Sequence, residues 1–145
     1  MADKTKRSID IDAPSDKVMD VIADLAAYPD WVSAAQSVEV LESFPDGRPS
    51  KAKFVLDAGM LKDTYDLQYE WAPDGKSVRW HLIAGGLQKA QDGEYTLVDT
   101  PSGGTSVTYE LTVDVNIPMI GMFKRKAEKM ITDAALKELK KRVEG

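Results

Sequence analysis

Only a few side chains in this chain have a type and spacing suited to chemistry. Asp63 shares strand parity with Tyr65, Leu67 and Tyr69, so an unbroken strand points all four to one side. A carboxyl among apolar neighbours has its charged form disfavoured, which suits it to general acid or base work. Tyr65 would be its proton-moving partner, which makes Asp63 and Tyr65 the candidate catalytic residues. Asp63 also lies close to the turn signal at Gly59, where it would instead sit at a wet rim. Lys89 has the parity of Tyr95 and could meet an anion at the same mouth, or snorkel out of it. The single histidine, His81, stands between Trp80 and Leu82; if those face inward, it points outward beside Arg79.

Other chemistries are closed off by composition. Cysteine is absent, which removes disulfides, thiolate metal sites and cysteine nucleophiles together. One histidine cannot make a two-histidine metal site and leaves a serine triad without a reserve imidazole. No acidic loop has calcium spacing, so no metal is expected. Gly85-Gly86 and Gly103-Gly104 lack the following helix of a phosphate loop and read as turns, and no cofactor is expected. A net charge of −5 argues against nucleic acid as a partner.

The elements that must position these residues are legible from periodicity. With 145 residues, 43% hydrophobic and 30% charged, the chain reads as one folded domain, residues 1–145, rather than as disordered or fibrous. The charged start MADKTKRSIDID lacks the apolar core of a secretion signal, and no stretch approaches a membrane span, so a cytoplasmic protein is expected. Thr5 to Asp12 reads as a strand. Ala13-Pro14-Ser15-Asp16 opens a helix whose apolar row is Val18, Val21, Ile22 and Leu25. Tyr28-Pro29 ends it, and Asp30 to Ala35 reads as a second, shorter helix.

From Ser37 to Asn116 the period becomes two, broken at Pro45-Asp46-Gly47, Ala58-Gly59-Met60, Pro73-Asp74-Gly75, Gly85-Gly86 and Pro101-Ser102-Gly103-Gly104. That gives six hairpin-linked strands. A long helix from about Met122 to Val143 follows, with Ala127, Ile131, Ala135, Leu139 and Val143 in an i+4 row. The fold class is α+β: seven antiparallel strands curled around one C-terminal helix, with two short helices between strands 1 and 2.

One helix cannot cover seven strands by flat packing, so the sheet should curl and leave a space. Facing that space are Phe54, Leu56, Tyr65, Leu67, Tyr69, Trp80, Leu82, Tyr95 and Tyr109 from the sheet. From the helix come Ala127, Met130 and Ala134. Small helix residues mean either close helix–sheet contact or an unfilled apolar cavity with phenolic hydroxyls, the make-up of a small-molecule site.

The turns add an asymmetry. Those at 45–49, 73–76 and 99–104 share one end and are polar, whereas 58–61, 84–87 and 117–122 share the other and are apolar. An apolar rim fits a cavity mouth, a membrane-touching surface, an oligomer contact, or loops that plug the barrel end. Residues 117–145 hold eight Lys/Arg against four Asp/Glu, and Lys124, Arg125 and Lys126 directly follow the apolar run through Ile120 and Met122. Ile120, Met122 and these three cations form a candidate patch for transient docking on anionic lipid, or else an ordinary solvated helix face.

The stretches Ile9 to Val18, Leu25 to Trp31, Gly93 to Leu97 and Gly104 to Tyr109, with the gapless terminal helix, resemble the START-related helix-grip superfamily. The resemblance is to its polyketide cyclase/dehydrase and lipid-transport branch. Tyr28-Pro29-Asp30-Trp31 is similar to coenzyme Q-binding and ribosome-associated toxin members, and Pro118 to Glu128 to small actinobacterial ones. The resemblance implies an apolar pocket between sheet and helix, open near the apolar rim, with Trp31, Met119 and Phe123 joining the residues named above as ligand contacts. Its functions range from lipid carriers to ring-closing enzymes, and no catalytic signature carries over residue by residue. The expectation is a monomer or weak dimer that binds a lipid, isoprenoid or polyketide-like molecule without chemistry. A cyclase/dehydrase and a protein-docking module are the alternatives.

Overall fold

The computed structural model describes residues 5–57, 62–115 and 121–145, with side chains throughout except at 115 and 121–128. Along the chain come β1 (Thr5–Ile11), α1 (Ser15–Ala23), a 3-10 turn (Leu25–Ala27), α2 (Tyr28–Trp31) and β2 (Ala35–Ser43). There follow β3 (Pro49–Asp57), β4 (Lys62–Trp71), β5 (Ser77–Gly85), β6 (Gln88–Asp99), β7 (Thr105–Val115) and α3 (Gly121–Glu144). The seven strands form one antiparallel sheet in the order β1-β7-β6-β5-β4-β3-β2. This is the α+β helix-grip arrangement expected from the sequence. The meander from β2 to β7 needs only hairpins; the helical excursion after β1 carries the chain from one sheet edge to the other.

Local chemistry accounts for the elements. α1 begins behind Pro14, which is extended (φ −63°, ψ 153°), with Asp16 in the first turn where the helix dipole favours a carboxylate. It buries Val18, Met19 and Ile22, and leaves Val21 half-buried. The helix stops at Ala23, earlier than the sequence suggests. Pro29 does not end it: lacking an N–H, proline fits the first turn of a new helix, and α2 restarts at Tyr28. Val32 then turns extended, so Ala35 opens β2 instead of closing a helix.

Among the described residues, α3 makes its close backbone approaches to β1, β7, α1 and α2. It buries Ala135, Leu136, Leu139 and Val143 there, and Ile131 of the same row stays half-buried. A polar latch fixes its far end. The Glu144 carboxylate accepts the Asp12 N–H at 2.8 Å and Lys140 Nζ at 2.7 Å, while the same Lys140 donates to the Asp10 carbonyl. The helix therefore leans on the β1/β7 edge. The inner faces of β3 to β6 must be covered by long side chains reaching across a gap.

Those side chains are mostly aromatic, and the register pairs them directly: Phe54 opposite Tyr65, Tyr69 opposite Trp80, Tyr95 opposite Tyr109. Trp80 lies flat over Gly93, its partner across β5 and β6. A Cβ at Gly93 would stand 2.1–2.4 Å from the indole ring atoms, so only glycine lets the ring occupy this place. Gly93→Ala should therefore expel the indole and destabilise the fold by about 3 kcal/mol. Urea unfolding followed by circular dichroism checks this; an unchanged midpoint would show that the ring is not held against that backbone.

Candidate functional site

The aromatic residues of the inner face form a continuous wall. Phe54 stacks on Tyr65 with centroids 5.6 Å apart and planes within 6°. Tyr69 meets Trp80 at 5.8 Å, Trp80 meets Tyr109 edge-on at 5.6 Å, and Tyr95 meets Tyr109 edge-on at 4.7 Å. Such offset and edge contacts hold each ring in one orientation. Opposite the wall, α3 offers Met130, Ile131, Ala134, Ala135 and Glu138. These side chains are too short to reach the rings, and a cavity of about 390 Å³ lies between. That volume falls within the span usual for small-molecule sites, roughly 300–1,000 Å³. Ser33 and Met130 line it and are exposed, Met130 by 48%, so the space reaches the surface between α3 and the segment after α2. Glu138 ties that segment down, accepting from the Ser33 N–H at 3.1 Å and from its hydroxyl.

Of the residues the sequence assigned to this space, Phe54, Leu56, Tyr65, Leu67, Tyr69, Trp80, Tyr95, Tyr109, Met130 and Ala134 all line it. Trp31 and Leu82 do not. On the single turn of α2, Tyr28 takes the inward position, and Trp31 stacks edge-on against it at 5.0 Å. Trp31 faces a surface recess with Lys17, Asp24 and Arg142. Leu82 follows a register shift between β4 and β5, and its methyls pack toward the backbone of Gly85. Met119 and Ile120 lie outside the described residues, as do the side chains of Met122, Phe123, Lys124, Arg125, Lys126 and Ala127.

The cavity also holds residues beyond those named from the sequence, of which Leu111 and Val113 share the alternation of Tyr109. Tyr28, Leu111, Val113 and Glu138 line it, as do Gln88 and Gln91 at the start of β6. Gln91 has the parity of Tyr95, and a bulge between Gln88 and Ala90 brings Gln88 to the same side. The same bulge turns Lys89 outward, where it pairs with Asp114 at 3.6 Å, so the parity that aimed Lys89 at the mouth does not hold. A run of Gln-Lys-Ala-Gln carries no hydrophobic alternation that would betray the shift.

Asp63 is not among the cavity-lining residues; it clasps the neighbouring turn. One carboxylate oxygen accepts the N–H groups of Thr64 (2.9 Å), Gly86 (3.1 Å) and Leu87 (2.9 Å). The other accepts Gln88 N (3.1 Å) and Gln88 Nε2 (3.3 Å). The fit is close: a Cβ on Gly86 would come within 2.6 Å of Asp63 Oδ1. This network accounts for the residue without any proton transfer at the cavity. His81 faces the outer side of the sheet beside Arg79, Asp92 and Glu94.

All five tyrosines of the chain line this one cavity. Tyr28 donates to the Ile22 carbonyl. Among the described residues, the hydroxyls of Tyr65, Tyr69, Tyr95 and Tyr109 have no protein partner. Burial holds every one of the five above the ordinary phenol pKa, and for all but Tyr109 a nearby ionised tyrosine would raise it further. At neutral pH these groups are hydrogen-bond donors, not bases. No group of three or more His, Cys, Asp or Glu among the described residues is placed to hold a metal ion. No helix among them is long and apolar enough to cross a membrane.

A family model described as polyketide cyclase/dehydrase and lipid transport matches residues 2–144. Among solved structures, a START superfamily protein from Mycobacterium smegmatis is similar with a TM-score of 0.90 and 20% identity, over 97% of each chain. The Zhui aromatase/cyclase from Streptomyces sp. R1128 has a TM-score of 0.80 at 15% identity, covering 99% of this chain and 94% of its own. A protein from Thermus thermophilus has a TM-score of 0.80 at 22% identity over 97% of each chain. At such identities the likeness establishes the fold alone. No curated protein matches the sequence.

Two measurements follow from the geometry. Because folding raises the phenol pKa values, their contribution to stability is intact below the unfolded value of about 10 and lost as pH rises through the folded values. Tyrosinate absorbance should accordingly appear late and together with unfolding; a fraction titrating reversibly near the free-phenol value in folded protein would contradict the burial. Asp63→Ala should cost about 2 kcal/mol of stability, the scale of hydrogen bonds to a charged group. A loss below about 0.5 kcal/mol in chemical denaturation would return Asp63 to a free rim position.

Proposed function

The chain belongs to the polyketide cyclase/dehydrase and lipid transport family, and we propose that it binds and carries a hydrophobic small molecule in the cavity between sheet and helix, without altering it chemically. The observation that supports this most is the aromatic-walled space of about 390 Å³ that α3 leaves unfilled. A ligand burying about 300 Å² of apolar surface there gains roughly 7 kcal/mol at about 25 cal/mol per Å². That is enough to offset part of the freedom lost on association. A carrier needs no more than this.

The non-catalytic reading also fits the titratable groups. The phenols keep their protons, and the Asp63 carboxylate is saturated by the turn it holds. Phe54, Leu56, Leu67, Tyr69, Trp80, Tyr95, Tyr109 and Met130 would contact the cargo, and Phe123 and Ala127 would join them from the first turns of α3. On this reading the carrier is a cytoplasmic single domain, a monomer or weak dimer. It would exchange cargo at an anionic membrane surface through the stretch from Ile120 to Lys126.

Occupying the space with a side chain separates cavity binding from surface adsorption. Ala134 lines the cavity from α3, and Ala134→Trp should weaken uptake of the apolar fluorophore N-phenyl-1-naphthylamine by about tenfold or more while the protein stays folded. Extraction of the purified wild-type protein should release an apolar species visible by mass spectrometry. Fluorophore binding that ignores the added indole, or no uptake at all, would defeat the carrier reading.

A further inference from the structure

The cavity wall holds hydrogen-bond donors that the protein itself does not use. Tyr28 spends its hydroxyl on the Ile22 carbonyl, but those of Tyr65, Tyr69, Tyr95 and Tyr109 have no protein partner among the described residues. These four residues are 6, 4, 4 and 7% exposed, and all of them line the cavity. Among the described residues, Trp80 Nε1 and Gln88 Oε1 are the buried polar atoms sealed from solvent and partner alike. The four phenol oxygens are not sealed, so the little surface these residues keep includes their hydroxyls. Their open side is the cavity.

The hydroxyls are also gathered. Tyr95 and Tyr109 lie opposite each other across β6 and β7 with ring centroids 4.7 Å apart, and Tyr65 and Tyr69 share one face of β4. An ionised Tyr109 would raise the pKa of Tyr28, Tyr65, Tyr69 and Tyr95 alike, so its oxygen is within electrostatic reach of every other phenol. The carboxylates of the lining are engaged elsewhere: Glu138 accepts from Ser33, and Asp57 from Gln36 Nε2. Gln91 adds one amide, a donor and an acceptor together. A phenol is a good donor but a poor acceptor, because its lone pair is drawn into the ring. A hydrocarbon ligand would strip water from these hydroxyls and leave them unmet, whereas a ligand with acceptor oxygens replaces the water.

We propose that the phenols centred on Tyr109 recognise carbonyl oxygens, so that the cargo is a ring-containing ketone and not a purely hydrocarbon-tailed lipid. This deepens the carrier reading and rests on it. Tyr109 would donate to the ligand oxygen, with the Tyr95 hydroxyl beside it. The flat faces of the wall favour rings over a flexible chain, since Phe54 and Tyr65 already present parallel planes.

Fluorene and 9-fluorenone test this, because they share one flat skeleton and differ by a carbonyl in place of a methylene. In competition against N-phenyl-1-naphthylamine at neutral pH, the ketone should bind about fivefold more tightly than the hydrocarbon. Tyr109→Phe keeps the ring and its contacts, so its midpoint of urea unfolding should not fall. It should reduce the preference to less than about twofold by weakening fluorenone binding alone. Equal affinity for the two probes in the wild type, displacement by neither, or a preference that survives undiminished in Tyr109→Phe would overturn the role of the phenols and leave the carrier reading standing. Failure of the fluorophore itself to bind would overturn both.

Discussion

The structure depends on a mismatch between one helix and seven strands. α3 can pack closely against only part of the sheet, and it packs against β1, β7 and the short helices. Everything else on the inner face has to be covered at a distance. Large rings do this well because each covers much area from one strand position, and edge-to-face contacts let neighbours brace one another. The tyrosines serve the purpose twice: their rings extend the wall, and their hydroxyls tolerate the space beyond it. A core of leucines in the same places would collapse onto the helix or leave a dry void.

That compromise links stability to binding. Trp80 touches Tyr69, Tyr95 and Tyr109 and depends on the missing side chain of Gly93, so the centre of the wall is fixed by backbone proximity. The polar corner at Gln88 and Gln91 is fixed differently, by a carboxylate that gathers backbone N–H groups from a neighbouring turn. Rigid rings on one side and a clamped amide on the other make a preorganised site, in which little ordering remains to be done when a ligand enters. The helix side is softer, with Met130 half in solvent.

The family to which the chain belongs is described by both cyclase/dehydrase chemistry and lipid transport. Here, burial keeps the phenols protonated, and the one carboxylate that parity aimed inward is occupied by structural hydrogen bonds. The wall can donate and accept hydrogen bonds and exclude water, which is what the proposed carrier role asks of it.

The order of elements, the hairpin meander, the single long helix and most of the aromatic wall were all legible in the amino-acid order. These follow from signals read within a few residues: period-two alternation, Pro-Asp-Gly turns, and an i+4 apolar row. Features made by segments far apart along the chain were not legible there. The bulge that brings Gln88 inward and turns Lys89 out exists only because β6 is matched to β7. Asp63 became a clasp because folding sets it against a turn more than twenty residues later. Trp31 lost its inward place to Tyr28, whose ring packs near Phe54. Local patterns specify which face a residue prefers, whereas competition among distant residues for the same space decides which of them occupies it.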